Sequence, residues 1–287
     1  MTDHRAVLSI DVELFDQTPA YRNASGSTGE SGVGLDGLSF LRDALAEHDA
    51  RSTGFVVAEL AETYPDAIQA FADDGHEIGS HTHSHRLLSD LDPATQREEI
   101  ERSRAVLAET TGAKVRGFRA PAFDLAENHF QVLATAGYTY DSSVVSSRAI
   151  PGWYGGEYDV HRPTPAAEID TDAPGSIREL PVSVMPRLRL PLTGTWLRFF
   201  GPRYTILGMR WLARRGITPV LYVHPWECVD LPDVEGVPSR VYYHTGAWMR
   251  RAIERILSSE FTFVSAGEVV AGGDSGSPET GTIDGGD

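Results

Sequence analysis

Ala6-Val7-Leu8-Ser9-Ile10-Asp11-Val12-Glu13 is the first apolar run of the chain, and it closes on two carboxylates. A short apolar run ending in charge reads as a buried strand, here over residues 6–11. Working outward, residues 34–48 carry Leu35, Leu38, Leu41 and Leu45 at helical spacing. A second apolar run follows at 53–57, a helix at 59–72 stopped by Asp73-Asp74-Gly75, and a strand at 76–80. Asp92-Pro93 opens a long helix to about residue 110, since proline suits the first helical turn, and Gly112 lies past its end. Then come a strand at 115–119, a helix at 127–136, and a strand at 138–141. The second half adds a helix at 204–215, a strand at 218–223, a helix at 245–257 and a strand at 261–264. Strand–helix–strand alternation implies parallel strands joined by crossover helices. The strand candidates end in Asp11, His81, Arg119, Asp141 and His224, and parallel α/β barrels collect functional residues at such C-terminal ends. Residues 150–200 are punctuated by proline and glycine and read as an elaborated connection of loops, with one short strand at 177–184.

Composition narrows the function. The chain has 287 residues, 25 Lys and Arg against 41 Asp and Glu, and a formal charge of −16. Lys114 is its only lysine. So acidic a chain has no overall basic stripe to displace phosphate counterions, which excludes a general nucleic-acid binder, and the same balance argues against docking on anionic lipid. Dense carboxylates with almost no lysine fit a halophilic protein, kept soluble in a salt-rich cytoplasm that screens their repulsion. Cys228 stands alone, so neither an internal disulfide nor a thiolate zinc site can form. No apolar run reaches membrane-spanning length, and the short run near the start is too mixed for a signal-peptide core, so a cytoplasmic location is expected. One domain is expected over 1–270, followed by a disordered Gly/Ser/Asp-rich tail at 271–287. The glycines of residues 26–34 lack the Lys-Ser/Thr of a phosphate loop.

Two clusters carry chemistry. Asp11 and Glu13 are two apart, so in an extended chain both carboxylates point to one side. Gly79-Ser80-His81-Thr82-His83-Ser84-His85 places His81 and His85 four apart. On a helical turn these share a face and reach one metal while His83 points elsewhere; on a strand His81 would pair with His83 instead. Imidazoles suit zinc, iron, nickel or copper, and Glu13 or Asp11 would supply the carboxylate of an open, catalytic coordination sphere. Proline after His224 favours an extended conformation there, as at a strand end. No motif places a general base for Cys228, which reads as a small buried residue.

In this order the residues resemble the polysaccharide deacetylase family, the NodB-homology carbohydrate esterases. Its paired acids after an apolar strand match Asp11-Val12-Glu13, and its Ser-His…His motif matches Ser80-His81 and His85. Arg-x-Pro matches Arg119-Ala120-Pro121, continuing Ala122-Phe123, and Tyr-Asp-Ser-Ser matches Tyr140-Asp141-Ser142-Ser143. The strand ending in histidine matches Leu221-Tyr222-Val223-His224. The Asp-Val-Glu form, and Pro225-Trp226-Glu227 after the histidine, are similar to a branch associated with exopolysaccharide genes. The resemblance runs from about residue 5 to 265. It implies a distorted (β/α) barrel with fewer than eight complete units, removing an acetyl group from an N-acetylated sugar with a divalent metal, zinc (Zn) first and cobalt, iron, nickel or manganese as alternatives. Carried over, Asp11 is the base, Glu13, His81 and His85 hold the metal, Arg119 orients and ionises Asp11, and His224 is the acid. Pro121, Phe123, Asp141, Arg198 and Trp226 fall on the substrate side, with 194–198 as a substrate-side loop. Trp153, Tyr154, Trp196, Phe199 and Phe200 add candidate sugar-stacking surfaces.

Most members have aspartate where this chain has Glu13. The extra methylene carries the carboxylate outward, leaving bidentate, weakened and absent coordination as alternatives. The expected substrate is a lipid-linked or nucleotide-linked saccharide precursor. Two competing readings are an amidohydrolase of the same fold acting on a non-sugar amide, linear or cyclic, and a carbohydrate-binding protein without catalysis.

Overall fold

The computed structural model describes residues 4–28, 32–149 and 155–272. Its strands are β1 (His4–Val12), β2 (Thr53–Val56), β3 (Glu77–Ser80), β4 (Gly117–Phe118), β5 (Tyr140–Asp141), β6 (Thr164–Pro165), β7 (Arg178–Glu179), β8 (Val220–Val223) and β9 (Phe261–Phe263). Its helices are α1 (Pro19–Arg22), α2 (Leu35–Glu47), α3 (Ala58–Thr63), α4 (Pro65–Asp73), α5 (Pro93–Thr111), α6 (His129–Thr135), α7 (Gly194–Phe200), α8 (Pro202–Ala213), α9 (Ala247–Leu257) and α10 (Ala266–Gly272).

The opening apolar run is the central strand. From Ala6 to Val12 every residue of β1 is buried, and a strand covered on both faces needs partners on both edges. β2 and β8 flank it in parallel, with Ile10 opposite both Gly54 and Val223, and β9 pairs with its first residues. The sheet order is β6-β7-β5-β4-β3-β2-β1-β8, parallel throughout except for β6 against β7. An irregular segment draws the two ends together: Val182 donates to the Val144 carbonyl and Ser183 to that of Val220. The result is the expected distorted (β/α) barrel. Its regular ladder thins on the far side, where β4, β5 and β7 are two residues each.

Local signals explain most boundaries. Asp92 caps α5 by accepting from the Ala94 and Thr95 amides, and Gly112 ends it in the left-handed region at φ 67°. The helix expected over 59–72 is instead two, α3 and α4. Tyr64 precedes Pro65, which crowds it out of the helical region, and it sits at φ −128°, ψ 56°. The loop-rich reading of 150–200 missed α7, whose seven residues are too few to display a helical period. Ala271 and Gly272, assigned to the tail, belong to α10; residues 273–287 lie outside the described residues, as do Trp153 and Tyr154. Cys228 is fully buried, and burial pushes its thiol up. No helix among the described residues is long and apolar enough to cross a membrane.

Candidate active site

The C-terminal strand ends open onto a cavity of about 560 Å³ lined on one side by Asp11, Glu13, His81, His85 and His224. Parallel strands aim their carboxyl ends at one face, so residues scattered from 11 to 224 meet there.

Asp11 and Glu13 both face the cavity, although not as neighbours on an extended strand. The Glu13 amide donates to the Asp11 carbonyl at 2.9 Å, a tight turn that brings the second carboxylate back over the strand end. His81 and His85 converge without a helical turn. Thr82 and His85 sit at φ 64° and 55°, a left-handed conformation that ordinary residues hold only when their surroundings enforce it. Here Glu99 of α5 accepts from the His83 and Ser84 amides and the Ser84 hydroxyl. Arg22 of α1 donates to the Ser84 and His85 carbonyls. His83 points away, to Glu62 at 3.1 Å.

Both histidines spend Nδ1 on the backbone. His81 donates to the Arg119 carbonyl at 2.7 Å and His85 to that of Gln17 at 3.0 Å. Each therefore presents a bare Nε2, the arrangement that orients metal-binding imidazoles. The two Nε2 atoms lie 3.2 Å apart, and Glu13 Oε2 is 2.5 Å from that of His85. One ligand atom from each of Glu13, His81 and His85 lies within 4.8 Å of the others. Three potential ligand atoms facing one point, with both Nδ1 atoms engaged by the backbone, fit a cation. Glu13 Oε1 is taken by the Trp226 indole N–H at 3.0 Å, which leaves Oε2 as its free ligand atom. Burial works against the charged form of Glu13, but His85, with His224 and His81, holds its carboxyl well below the usual range. Burial pushes His81 down to about 4, against the pull of Asp11, so it is neutral near pH 7.

Arg119 is fully buried behind Asp11. Its NH1 donates to Asp11 Oδ1 at 2.5 Å and Ser9 Oγ at 3.0 Å, and its Nε and NH2 are held by Ser142. The guanidinium lies 4.2 Å from the centre of the Phe55 ring, so position and charge are both fixed. His224 stands across the cavity. Its Nδ1 and amide both donate to Glu227 Oε2, at 3.1 and 2.9 Å, and its ring stacks on Trp226. Burial opposes the charged imidazole, but Glu227, aided by Glu13 and Asp11, pushes it up to about 9.

Of the expected substrate-side residues, Phe123 and Trp226 line the cavity, with Tyr222 between them. Pro121 is buried beneath the turn that presents Ala122 and Phe123. Three expectations differ from the structure. Arg198 is buried away from the cavity and pairs with Glu227 at 2.8 Å, so it braces His224 from behind. The expected substrate-side loop at 194–198 is the start of α7, and Gly194 is required there because any Cβ would collide with the Glu227 carboxylate. Asp141 is likewise buried, between His129 at 3.1 Å and Ser143 at 2.6 Å. Ser143 in turn accepts from the Ala120 amide, so Asp141 acts on the Arg119–Pro121 turn rather than on a ligand. Glu227, quoted from the sequence only within Pro225-Trp226-Glu227, had been given no role; its signal was a carboxylate three residues after His224.

Comparison with known proteins agrees with this architecture. The polysaccharide deacetylase family profile matches residues 38–140, and a domain of unknown function, DUF3473, matches 142–271 directly after it. Residues 38–140 thus match the polysaccharide deacetylase family. One sheet runs through both matched regions, β1 pairing with β2 and with β8. The chain is 29% identical over 104 residues to a peptidoglycan-N-acetylglucosamine deacetylase from Bacillus cereus, covering 36% of this chain and 38% of that one. It is 36% identical over 80 residues to a chitooligosaccharide deacetylase from Sinorhizobium fredii, covering 28% and 37%. The match thus spans well under half the length of these relatives. Among solved structures, a Mycobacterium smegmatis protein assigned to the polysaccharide deacetylases superposes with a TM-score of 0.63 at 22% identity, covering 94% of this chain and 91% of that one. PuuE allantoinase superposes at 0.60 with 20% identity, covering 93% and 88%. At these identities the superpositions establish the fold.

Proposed function

We propose that this protein is a metal-dependent hydrolase that removes the N-acetyl group from an N-acetylated saccharide. The observation that carries the reading is the pairing, across one cavity, of a buried carboxylate held by arginine with a histidine whose Nδ1 donates to Glu227. Glu13, His81 and His85 would hold the divalent cation, zinc first. Bound there, it would polarise the amide carbonyl and acidify a water.

The chain's own groups divide the remaining work. Asp11, kept in place by Arg119, accepts the proton of the attacking water. His224 delivers a proton to the departing amine, which leaves poorly as an anion; Glu227, itself held ionised by Arg198, keeps that imidazole charged and aimed. Phe123, Tyr222 and Trp226 offer apolar walls against which a sugar ring can lie. A lone buried cysteine is compatible with a reducing cytoplasmic compartment, and a saccharide precursor, lipid-linked or nucleotide-linked, is the substrate class proposed there.

The test is acetate release from N-acetylglucosamine conjugates by protein first stripped of metal and then reloaded. Reloading should restore turnover, and His81→Ala, Glu13→Ala and Asp11→Asn should abolish it. Full activity without metal would defeat the metal assignment. Turnover of a cyclic or non-sugar amide in place of the conjugates would transfer the site to the competing amidohydrolase reading. Sugar binding without turnover, metal supplied, would leave a carbohydrate-binding protein.

A further inference from the structure

The acidic residues of this chain are not evenly spread. Between Glu179 and Glu227 there are 47 residues without one aspartate or glutamate and with seven arginines. The same segment holds Leu188, Phe199, Phe200 and Leu207, large apolar side chains that are 40–54% exposed; Tyr243, 44% exposed, stacks on Phe199. These groups form one surface. Phe200 contacts Tyr204 at the start of α8. Along α8, Arg203, Leu207, Arg210 and Arg214 recur at helical spacing and are all exposed. Arg187, beside Leu188, lies 5.5 Å from the Trp211 ring on that helix. Arg210 is paired with Glu260, but among the described residues no carboxylate lies within ion-pair distance of Arg187, Arg203, Arg214 or Arg215.

We propose that the outer face of α7 and α8 docks on an anionic lipid surface. Charge complementarity selects that occupant, because the one extended segment free of acid in a chain of −16 carries the exposed apolar groups as well. A polyanion such as nucleic acid would use the arginines and leave the leucines idle. A sugar stacks on aromatic faces and likewise has no use for Leu188 and Leu207. Arginines with aromatic and aliphatic anchors are what an interfacial helix needs: the cations meet lipid phosphates and the apolar groups enter the headgroup boundary. Docking also sets the cavity mouth near the membrane, since Thr195 in the first turn of α7 lines the cavity and Phe199 lies one turn further along. That geometry suits a saccharide carried on lipid. The docking surface itself does not depend on the catalytic reading.

Flotation of the full chain with phosphatidylglycerol/phosphatidylcholine vesicles tests this. The parent protein should float with anionic vesicles and not with pure phosphatidylcholine at low salt. Leu188→Ser with Leu207→Ser should lower the bound fraction about tenfold, and Arg203→Glu with Arg214→Glu should do the same. Circular dichroism checks that the variants fold, and acetate release from a water-soluble substrate should be unchanged in both. No flotation with any vesicle would overturn the proposal. So would binding to heparin or DNA that survives the apolar substitutions, or a stable dimer that those substitutions dissociate.

Discussion

Trp226 is the residue where the departure from the family pattern is resolved. Glutamate in place of aspartate leaves a longer carboxylate to be controlled, and the indole N–H does so by engaging Oε1 and leaving Oε2 facing the two histidines. Trp226→Phe removes that hydrogen bond and keeps the ring stacked on His224. It should weaken metal affinity by about 10–100-fold, as loss of an orienting partner does elsewhere. Competition with a chromophoric chelator would measure it, and unchanged affinity would remove Trp226 from this role. The candidate chemistry at this scale was legible: Asp11, Glu13, His81, His85, Arg119 and His224 were each named from the sequence. The geometry was not. The four-residue spacing of the histidines suggested a helical turn, whereas Glu99 and Arg22, which hold the actual turn, are distant in sequence.

At the scale of single elements, β5 and β7 place Asp141 beside Glu179. Both are fully buried: burial and the Asp141 charge push Glu179 well above the usual carboxylate range, while Asp141 stays low because His129 outweighs its own burial. A carboxyl raised in the folded state gives stability that is complete below its unfolded value and is lost as the pH climbs through the folded one. Glu179→Gln cannot ionise. Its Tm advantage over the parent should therefore grow as pH rises above the ordinary carboxylate range. A constant offset at all pH values would show that Glu179 is not the protonated partner. For α5 the expectation is simpler. Asp92→Ala strips the cap from the Ala94 and Thr95 amides and should cost about 1 kcal/mol in urea unfolding, with acetate release unaffected. That cap was readable because it is local, within three residues. The break at Tyr64-Pro65 was equally local but was overridden by the apolar period on either side of it.

Across the whole molecule, the charge of −16 sets how stability responds to salt. Self-repulsion of this size is screened within a Debye length of ~10 Å at 0.1 M and far less at molar salt, so Tm should rise as KCl is raised. A fall in Tm over that range would mean that ion pairs such as Arg42–Asp74 and Arg210–Glu260 outweigh the repulsion, and would end the halophile reading.

The sequence by itself determined the fold class, the strand ends that face the cavity and most of the residues found there. Those properties follow from local period, from proline and glycine, and from the side-chain types that chemistry demands. The tertiary structure alone decided three things. Arg198 and Asp141 became supports instead of substrate contacts, and Glu227 became the partner of His224, because which buried charges meet depends on contacts between distant segments. The histidine turn took its shape from α1 and α5. The charge balance, read as an average, argued against an anionic surface; folding gathered the acid-free segment and its exposed apolar side chains onto one face, and a net charge carries no record of where its members lie.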